Sequence, residues 1–233
     1  MALTELAICN MALARCGIGS PLVSGDGATG TIAATTSTGL EADLCKTYFP
    51  IVQRELLETY PFSFALKYAD LAGTTTCSSE VWGGEWLYKY TYPSDAARLW
   101  RWARTDTPAV GSVEYARWLM QDLSQEDPEY QYAVRSVDGT KVILGHLEST
   151  RARMIYCQTA PSISDYPYLV GSAMAWRIAS EVATPLLSDP TRAEQARAMF
   201  YNVALPQAIA IGANEQGQQA QQDGAYVRSR WGW

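Results

Sequence analysis

The side chains able to do chemistry are few and thinly spread. The only histidine is His146. A zinc site needs clustered ligands and a nucleophilic triad needs a base beside its serine, yet the chain has no second histidine, no C-x-x-C and no G-x-S-x-G. His146 therefore reads as an ordinary residue at a strand end. Glu80, Glu85, Asp122, Glu126, Asp127 and Glu129 supply the carboxylates that glycoside cleavage uses in pairs. Trp82, Trp86, Trp100, Trp102 and Trp118 supply rings on which a sugar could stack. A chain with 24 acidic residues offers many such pairings, so glycan binding or cleavage stands as the alternative function. Gly25-Asp26-Gly27-Ala28-Thr29-Gly30 matches the letters of the dinucleotide fingerprint G-x-G-x-x-G. No strand precedes it and the β-branched run after it opens no helix, so the expectation is a loop without a nucleotide.

Cysteine chemistry is also unpromising. Cys9, Cys16, Cys45, Cys77 and Cys157 are odd in number and scattered, which suits a reducing compartment. Cys9 and Cys16 sit on one face of a predicted helix but about 10.5 Å apart along its axis, beyond disulfide reach. They are expected as small buried apolar residues. Neither a cofactor nor a metal is implied.

The elements that would position these residues divide by periodicity. The chain's 233 residues, 48% hydrophobic and 18% charged, can bury a full core, and no run reaches the length of a membrane span. The start, MALTELAICNMALARCG, carries Glu5 in its apolar pattern and no basic leader, so a first helix is expected, capped near Thr4, with Leu6, Ala7, Asn10, Met11, Leu13 and Ala14 setting its faces and Gly17 stopping it. A loop follows from Ile18 to Gly39, too rich in Gly, Ser and Thr to bury much. Leu40 to Ala65 is the longest amphipathic segment. Leu40, Leu44, Tyr48, Val52, Leu56 and Tyr60 recur every fourth residue, Pro50 predicts a kink, and Pro61 predicts the end. Its polar face carries Lys46, Arg54 and Glu58, read from the pattern as solvated.

Between the helical stretches the period becomes two. Trp86, Tyr88, Tyr90 and Tyr92 form an aromatic strand face, Leu99–Ala103 and Arg151–Tyr156 predict further strands, and Val134–Leu144 folds about Asp138-Gly139 as a hairpin. Five or six strands are expected. Beyond them, Asp165 is expected to cap a helix with Val170, Met174, Ile178 and Val182 on one stripe. Gly171, Ala175, Ala179 and Ala183 make a parallel seam of small residues suited to a close neighbour. Asp189-Pro190 predicts a last start, for a helix carrying Ala196, Met199, Phe200, Val203 and Ala208 and bent near Pro206. The expected fold is α+β, a bundle of N- and C-terminal helices with an inserted antiparallel β module. Its divisions are an N-terminal helical half at 1–72, the β module at 73–159, a C-terminal helical half at 160–213 and a polar tail at 214–233. In the tail, Tyr226, Arg228, Arg230, Trp231 and Trp233 are candidate partner-binding residues, since interface hot spots favour these types.

Four blocks carry a resemblance: AICNMALARCGIGSPLVS, CKTYFPIVQRELLETYPFSFALKYADL, YKYTYPSD and RMIYCQTAPSISDYPYLVGSAMAWRIASEVATPLL. In this order they resemble the tail tubular protein A family, the head-to-tail adaptors of short-tailed, T7-like bacteriophages. The chain departs from that pattern at Ser24–Gly39 and in the Gln-rich tail. The resemblance implies a structural virion protein and no enzyme. It also implies a homo-oligomer, a dodecameric ring at the head-tail junction, assembled in the bacterial host cytoplasm. The implied partners are the portal protein and the tail nozzle, or tubular protein B, with genome DNA passing through the ring unheld and no membrane involved. A net charge of −6 agrees with a conduit that does not grip phosphate. In such a ring the small-residue seam is expected to serve lateral packing, Leu40–Ala65 to act as the spine between bundle and β module, and its polar face, Lys46, Arg54 and Glu58, becomes a candidate for lateral contact.

Overall fold

The computed structural model describes residues 3–19, 21–23, 30–33, 35, 39–71, 75–76, 86–104, 131–137, 139–146 and 152–215. The fold is α+β, with helices at both ends of the sequence and an antiparallel β region between them in chain order. It divides into a helical unit, Met1–Phe64 with Pro161–Trp233, and a β unit, Ala65–Ala160.

In the helical unit, α1 spans Glu5–Arg15. Thr4 caps it by accepting a hydrogen bond from the Ala7 amide at 3.1 Å. Gly17, at φ +85°, takes the left-handed conformation that closes the last turn. The loop that follows is fastened to this helix where it is described. The Asn10 side chain exchanges two hydrogen bonds with the Leu22 backbone, and Leu22 and Ile32 are buried.

The second helix, α2, spans Leu40–Thr59 and runs unbroken through Pro50. Its buried side is Ala42, Cys45, Phe49, Val52, Leu56 and Leu57, and the expected stripe is corrected at its start, where Leu40 is 54% exposed. The reason is geometric. At about 3.6 residues per turn a strict four-residue step drifts around the helix, whereas alternating steps of three and four stay on one face. Tyr60 leaves the helix in extended conformation before Pro61. An aromatic file then runs from Tyr60 through Phe62 and Phe64 to Tyr166, with ring centroids 5.0, 5.4 and 4.4 Å apart.

The third helix, α3, spans Tyr168–Leu187 with Pro167 at its N-cap, which corrects the expectation that Asp165 caps it. Asp165 instead ends a single 3₁₀ turn, Ile163–Asp165. Pro167 forces Tyr166 to ψ 130°, so no helix can begin before it. Both predicted stripes of α3 are buried. α1 and α2 each pack on α3. The fourth helix, α4, spans Pro190–Met199, and Asp189 caps it through the Thr191 and Arg192 amides as its sequence predicts. A π turn, Phe200–Ala204, leads into α5, Leu205–Glu215. Pro206 lacks the N–H that would bond Asn202, and the widened turn lies just ahead of it. Ala196, Phe200 and Ala208 face inward as expected, together with Ala193 and Ala204. Met199 and Val203 face outward, because the wide turn absorbs the drift of a four-residue step and keeps the 196–200–204–208 series in phase.

The β unit has seven strands among the described residues: β1 (Leu66–Asp70), β2 (Thr75–Thr76), β3 (Tyr88–Thr91), β4 (Ala96–Arg104), β5 (Tyr132–Val137), β6 (Thr140–Gly145) and β7 (Ala152–Gln158). They form two antiparallel sheets, ordered β1-β7-β4 and β2-β3-β6-β5. Both contribute to one core that includes Tyr90, Leu99, Trp102, Ile143, Met154 and Tyr156. The β5–β6 hairpin pairs Val137 with Thr140, and Gly139 takes φ +77°; Asp138 lies outside the described residues. β4 departs from regular register at two places along β7, between Ala96 and Arg98 and between Leu99 and Arg101.

Candidate functional site

Several sequence candidates lie outside the described residues: Tyr226, Arg228, Arg230, Trp231 and Trp233 of the tail, the six acidic residues Glu80, Glu85, Asp122, Glu126, Asp127 and Glu129, and Trp82 and Trp118. For the remaining tryptophans the structure separates the roles. Trp102 is core, edge-on to Tyr90 at 5.4 Å and stacked with Tyr132 at 6.2 Å, so it is corrected from a possible sugar platform to a packing residue. Trp86 stacks on His146 at 5.0 Å, which makes that histidine a ring partner at the end of β6. Trp100 is exposed, with the Arg98 guanidinium 5.3 Å from its ring. Among the described residues no group of His, Cys, Asp or Glu is arranged to hold a metal, and no helix is long and apolar enough to cross a membrane.

Of the Gly-rich letters only Gly30 is described. It sits at φ +58°, its carbonyl accepts from the Leu6 amide at 2.9 Å, and a Cβ there would strike the Thr4 side chain. It secures the start of α1. Cys9 and Cys45 are fully buried, and the neighbouring Cys45 thiol together with burial holds the Cys9 thiol well above its ordinary range. Such thiols pack and do not attack.

The small-residue seam of α3 is already occupied. A Cβ on Gly171 would lie 2.3 Å from Leu3 Cδ2, and the Cys16 thiol donates to the Ala179 carbonyl at 3.6 Å. The seam lets α1 settle on α3 within the unit, so its expected use in lateral packing between subunits is corrected. The polar face of α2 remains open. Lys46, Pro50, Ile51, Arg54 and Glu58 are exposed, Ile51 to 55%, and Arg54 pairs with Glu58 at 2.7 Å.

Two polar groupings in the helical unit were not legible beforehand. In the first, Arg177 of α3 is only 16% exposed and donates from Nε to both carboxylate oxygens of Glu55 on α2, at 3.1 and 3.0 Å. Its Nη1 donates to Ser180 Oγ at 2.9 Å and to Glu181. Burial pulls the Arg177 pKa down, and the bonds to Glu55 and Glu181 outweigh it, leaving the group raised and cationic. Two carboxylates held on one guanidinium form a helix clamp; neither is placed to act as a free acid or base.

The second grouping is a cleft of about 430 Å³ lined by Ala14, Arg15, Gly17, Trp176, Arg192, Gln195, Ala196 and Met199. Arg15, at the end of α1, lies 4.2 Å over the Trp176 ring and donates to the Ser172 carbonyl and hydroxyl, each at 2.7 Å. Arg192 donates to the Cys16 carbonyl, one of the unpaired acceptors at the end of α1. Glycine at position 17 makes that approach possible, since a Cβ would lie 2.6 Å from Arg192 Nη1. The residues come from three helices and share no sequence spacing, which is why no motif announced them. Comparison of the chain with protein-family models finds no match, and comparison with curated proteins finds none either.

Proposed function

We propose that this protein is a structural subunit that works through protein contacts, as a head-to-tail adaptor of a short-tailed phage virion. The observation that carries this reading is that the blocks of resemblance fall on regular elements of both units, in chain order. AICNMALARCGIGSPLVS holds most of α1, CKTYFPIVQRELLETYPFSFALKYADL runs from α2 through its aromatic turn into β1, YKYTYPSD contains β3, and RMIYCQTAPSISDYPYLVGSAMAWRIASEVATPLL runs from β7 to the end of α3. A helical bundle with an inserted β module suits a ring subunit, which must present a stiff surface to each neighbour. The exposed α2 face is the lateral contact in this reading, with Ile51 as its apolar centre and Lys46, Arg54 and Glu58 around it. Portal and tail nozzle bind the two ends of a dodecameric ring, and DNA passes through its channel. The acidic balance of the chain supports a conduit that does not adhere to phosphate.

The purified chain mixed with its portal should give a twelve-fold ring in negative-stain images and a matching mass. Free monomers alone leave room for assembly on the portal; monomers that ignore portal sink the reading. Ile51→Glu should abolish the ring while leaving the monomer's melting midpoint unchanged.

A further inference from the structure

From the cleft between the end of α1, α3 and α4 we infer that the helical unit carries a docking site for an acidic peptide segment, seating one carboxylate between Arg15 and Arg192 and an apolar side chain against Met199 and Ala196. The inference does not rest on the adaptor reading, because it concerns binding by the isolated chain.

The charge is the first argument. The chain carries −6 overall, yet two arginines line one cleft. Among the described residues Arg15 has no carboxylate partner; its bonds go to Ser172, and two of its five N–H donors are engaged. Among the described residues Arg192 keeps a long pairing to Asp189, 3.7 Å from Nε, besides its bond to Cys16. Burial pulls the Arg15 pKa down, with the Tyr168 hydroxyl opposing, so the cation sits where an added anion relieves it. The guanidinium fork is the donor geometry that recognises a carboxylate.

Shape is the second argument. Both cations are positioned before any ligand arrives. Stacking on Trp176 and the two bonds to Ser172 fix Arg15, and the Cys16 carbonyl under Gly17 fixes Arg192. The remaining walls, Ala14, Ala196 and Met199, are apolar, and Gln195 adds an amide that can pair with a peptide backbone. A polyanion fits poorly, because two arginines neutralise few phosphates and the acidic chain repels the rest.

The test is calorimetric titration of the whole chain at low salt with the blocked peptide acetyl-AELEA-amide, against acetyl-AQLQA-amide, inorganic phosphate and a single-stranded oligonucleotide. The acidic peptide should bind and the Gln peptide should bind at least about tenfold more weakly, as loss of a charge-assisted pair requires. Arg15→Gln and Arg192→Gln should each weaken the acidic peptide about tenfold. Both arginines also tie helices together, so Met199→Glu supplies the variant that keeps those ties. It should retain the melting midpoint and repel the acidic peptide. Equal binding of the two peptides, phosphate or oligonucleotide binding as tight as the acidic peptide's, or an unchanged affinity in Met199→Glu overturns the assignment.

Discussion

The two units solve the burial of polar groups in opposite ways. In the helical unit the interior is built from small and aliphatic residues such as Ala12, Ala173, Ala175, Met174 and Ile178, and its polar cluster is held together by charge, with Arg177 binding Glu55 and Glu181. The helical unit also buries Phe49, Phe62, Tyr166 and Phe200, but in the β unit aromatic rings take a larger share of a smaller interior. Tyr90, Trp102 and Tyr156 fill it, the Trp102 indole N–H has no partner among the described residues, and the ion pairs Lys67–Asp95 and Arg153–Asp70 lie outside. Shape holds the second unit and charge is marginal to it. The difference follows from chain geometry. Neighbouring helices let a long side chain such as Arg177 of α3 reach across to Glu55 of α2, while two sheets sharing a core need bulk to fill the layer between them.

The largest effect expected from this contrast is at Arg177. Arg177→Ala strands two half-buried carboxylates and should lower stability by about 3 kcal/mol, the low end for a broken buried pair because water reaches its edge. Urea midpoints read at the helical circular-dichroism band measure it. The matching change in the β unit, Arg153→Ala, removes an exposed pair and should leave the midpoint where it was. A similar loss from both substitutions would erase the contrast.

Next comes a test of shape. A Cβ on Gly145 would lie 3.0 Å from both Cη2 and Cζ2 of the Trp102 ring, which is hemmed in by Tyr90 and Tyr132. Gly145→Ala should therefore destabilise by about 2 kcal/mol through overpacking, with a changed near-ultraviolet tryptophan signal. Gly171→Ala in the helical unit meets only the flexible end of Leu3 and gains helix propensity, so it should fall within about 0.5 kcal/mol of the parent. Equal destabilisation at the two glycines would show that both interiors are packed by the same rule.

These pairs also indicate what the amino-acid order reveals in advance. Local chemistry was legible: Thr4, Asp189 and Pro190 act where they stand, and Gly139 turns a hairpin, because a cap or a turn needs only neighbours in the chain. The α2 stripe was half legible, since Val52 and Leu56 were found while Leu40 was misplaced by counting in fours. Strand β1 gave no signal. It is an edge strand paired only with β7, and Tyr68 points to water at 66% exposure, so no alternation marks it. The Arg15 and Arg192 cleft and the Arg177 clamp were illegible for another reason. Their parts lie 177 and 126 positions apart at the extremes, counted from Arg15 to Arg192 and from Glu55 to Glu181, and the docking of α1, α2 and α4 on α3 unites them.

The smallest effect compares the two units through one buried tyrosine each. Tyr166 of the helical unit accepts from the neutral Gln53 amide at 2.8 Å, whereas Tyr156 of the β unit donates to the Asp95 carboxylate at 3.0 Å. Burial first, then the bond to Asp95 and its charge, push the Tyr156 hydroxyl from 10 up to about 12. Its folded pKa is above the unfolded one, so its contribution to stability is fully present below pH 10 and is lost as pH rises from about 10 to about 12. Asp95 has the opposite sign. Lys67 holds it below 3.8, its burial opposes, and Tyr156 adds to the lowering, so that contribution is present above 3.8 and fades as the solution turns acid. Tyr156→Phe should cost about 1 kcal/mol at neutral pH, the worth of one hydrogen bond, and should flatten the alkaline fall in the urea midpoint while the Lys67-dependent acid fall persists. Because the chain has 14 tyrosines, the reading is the difference between parent and variant at about pH 9 and about pH 12. An alkaline fall of the same size in both would mean that Asp95 does not tune Tyr156, and that the β unit is as indifferent to this internal pair as it is to its exposed ones.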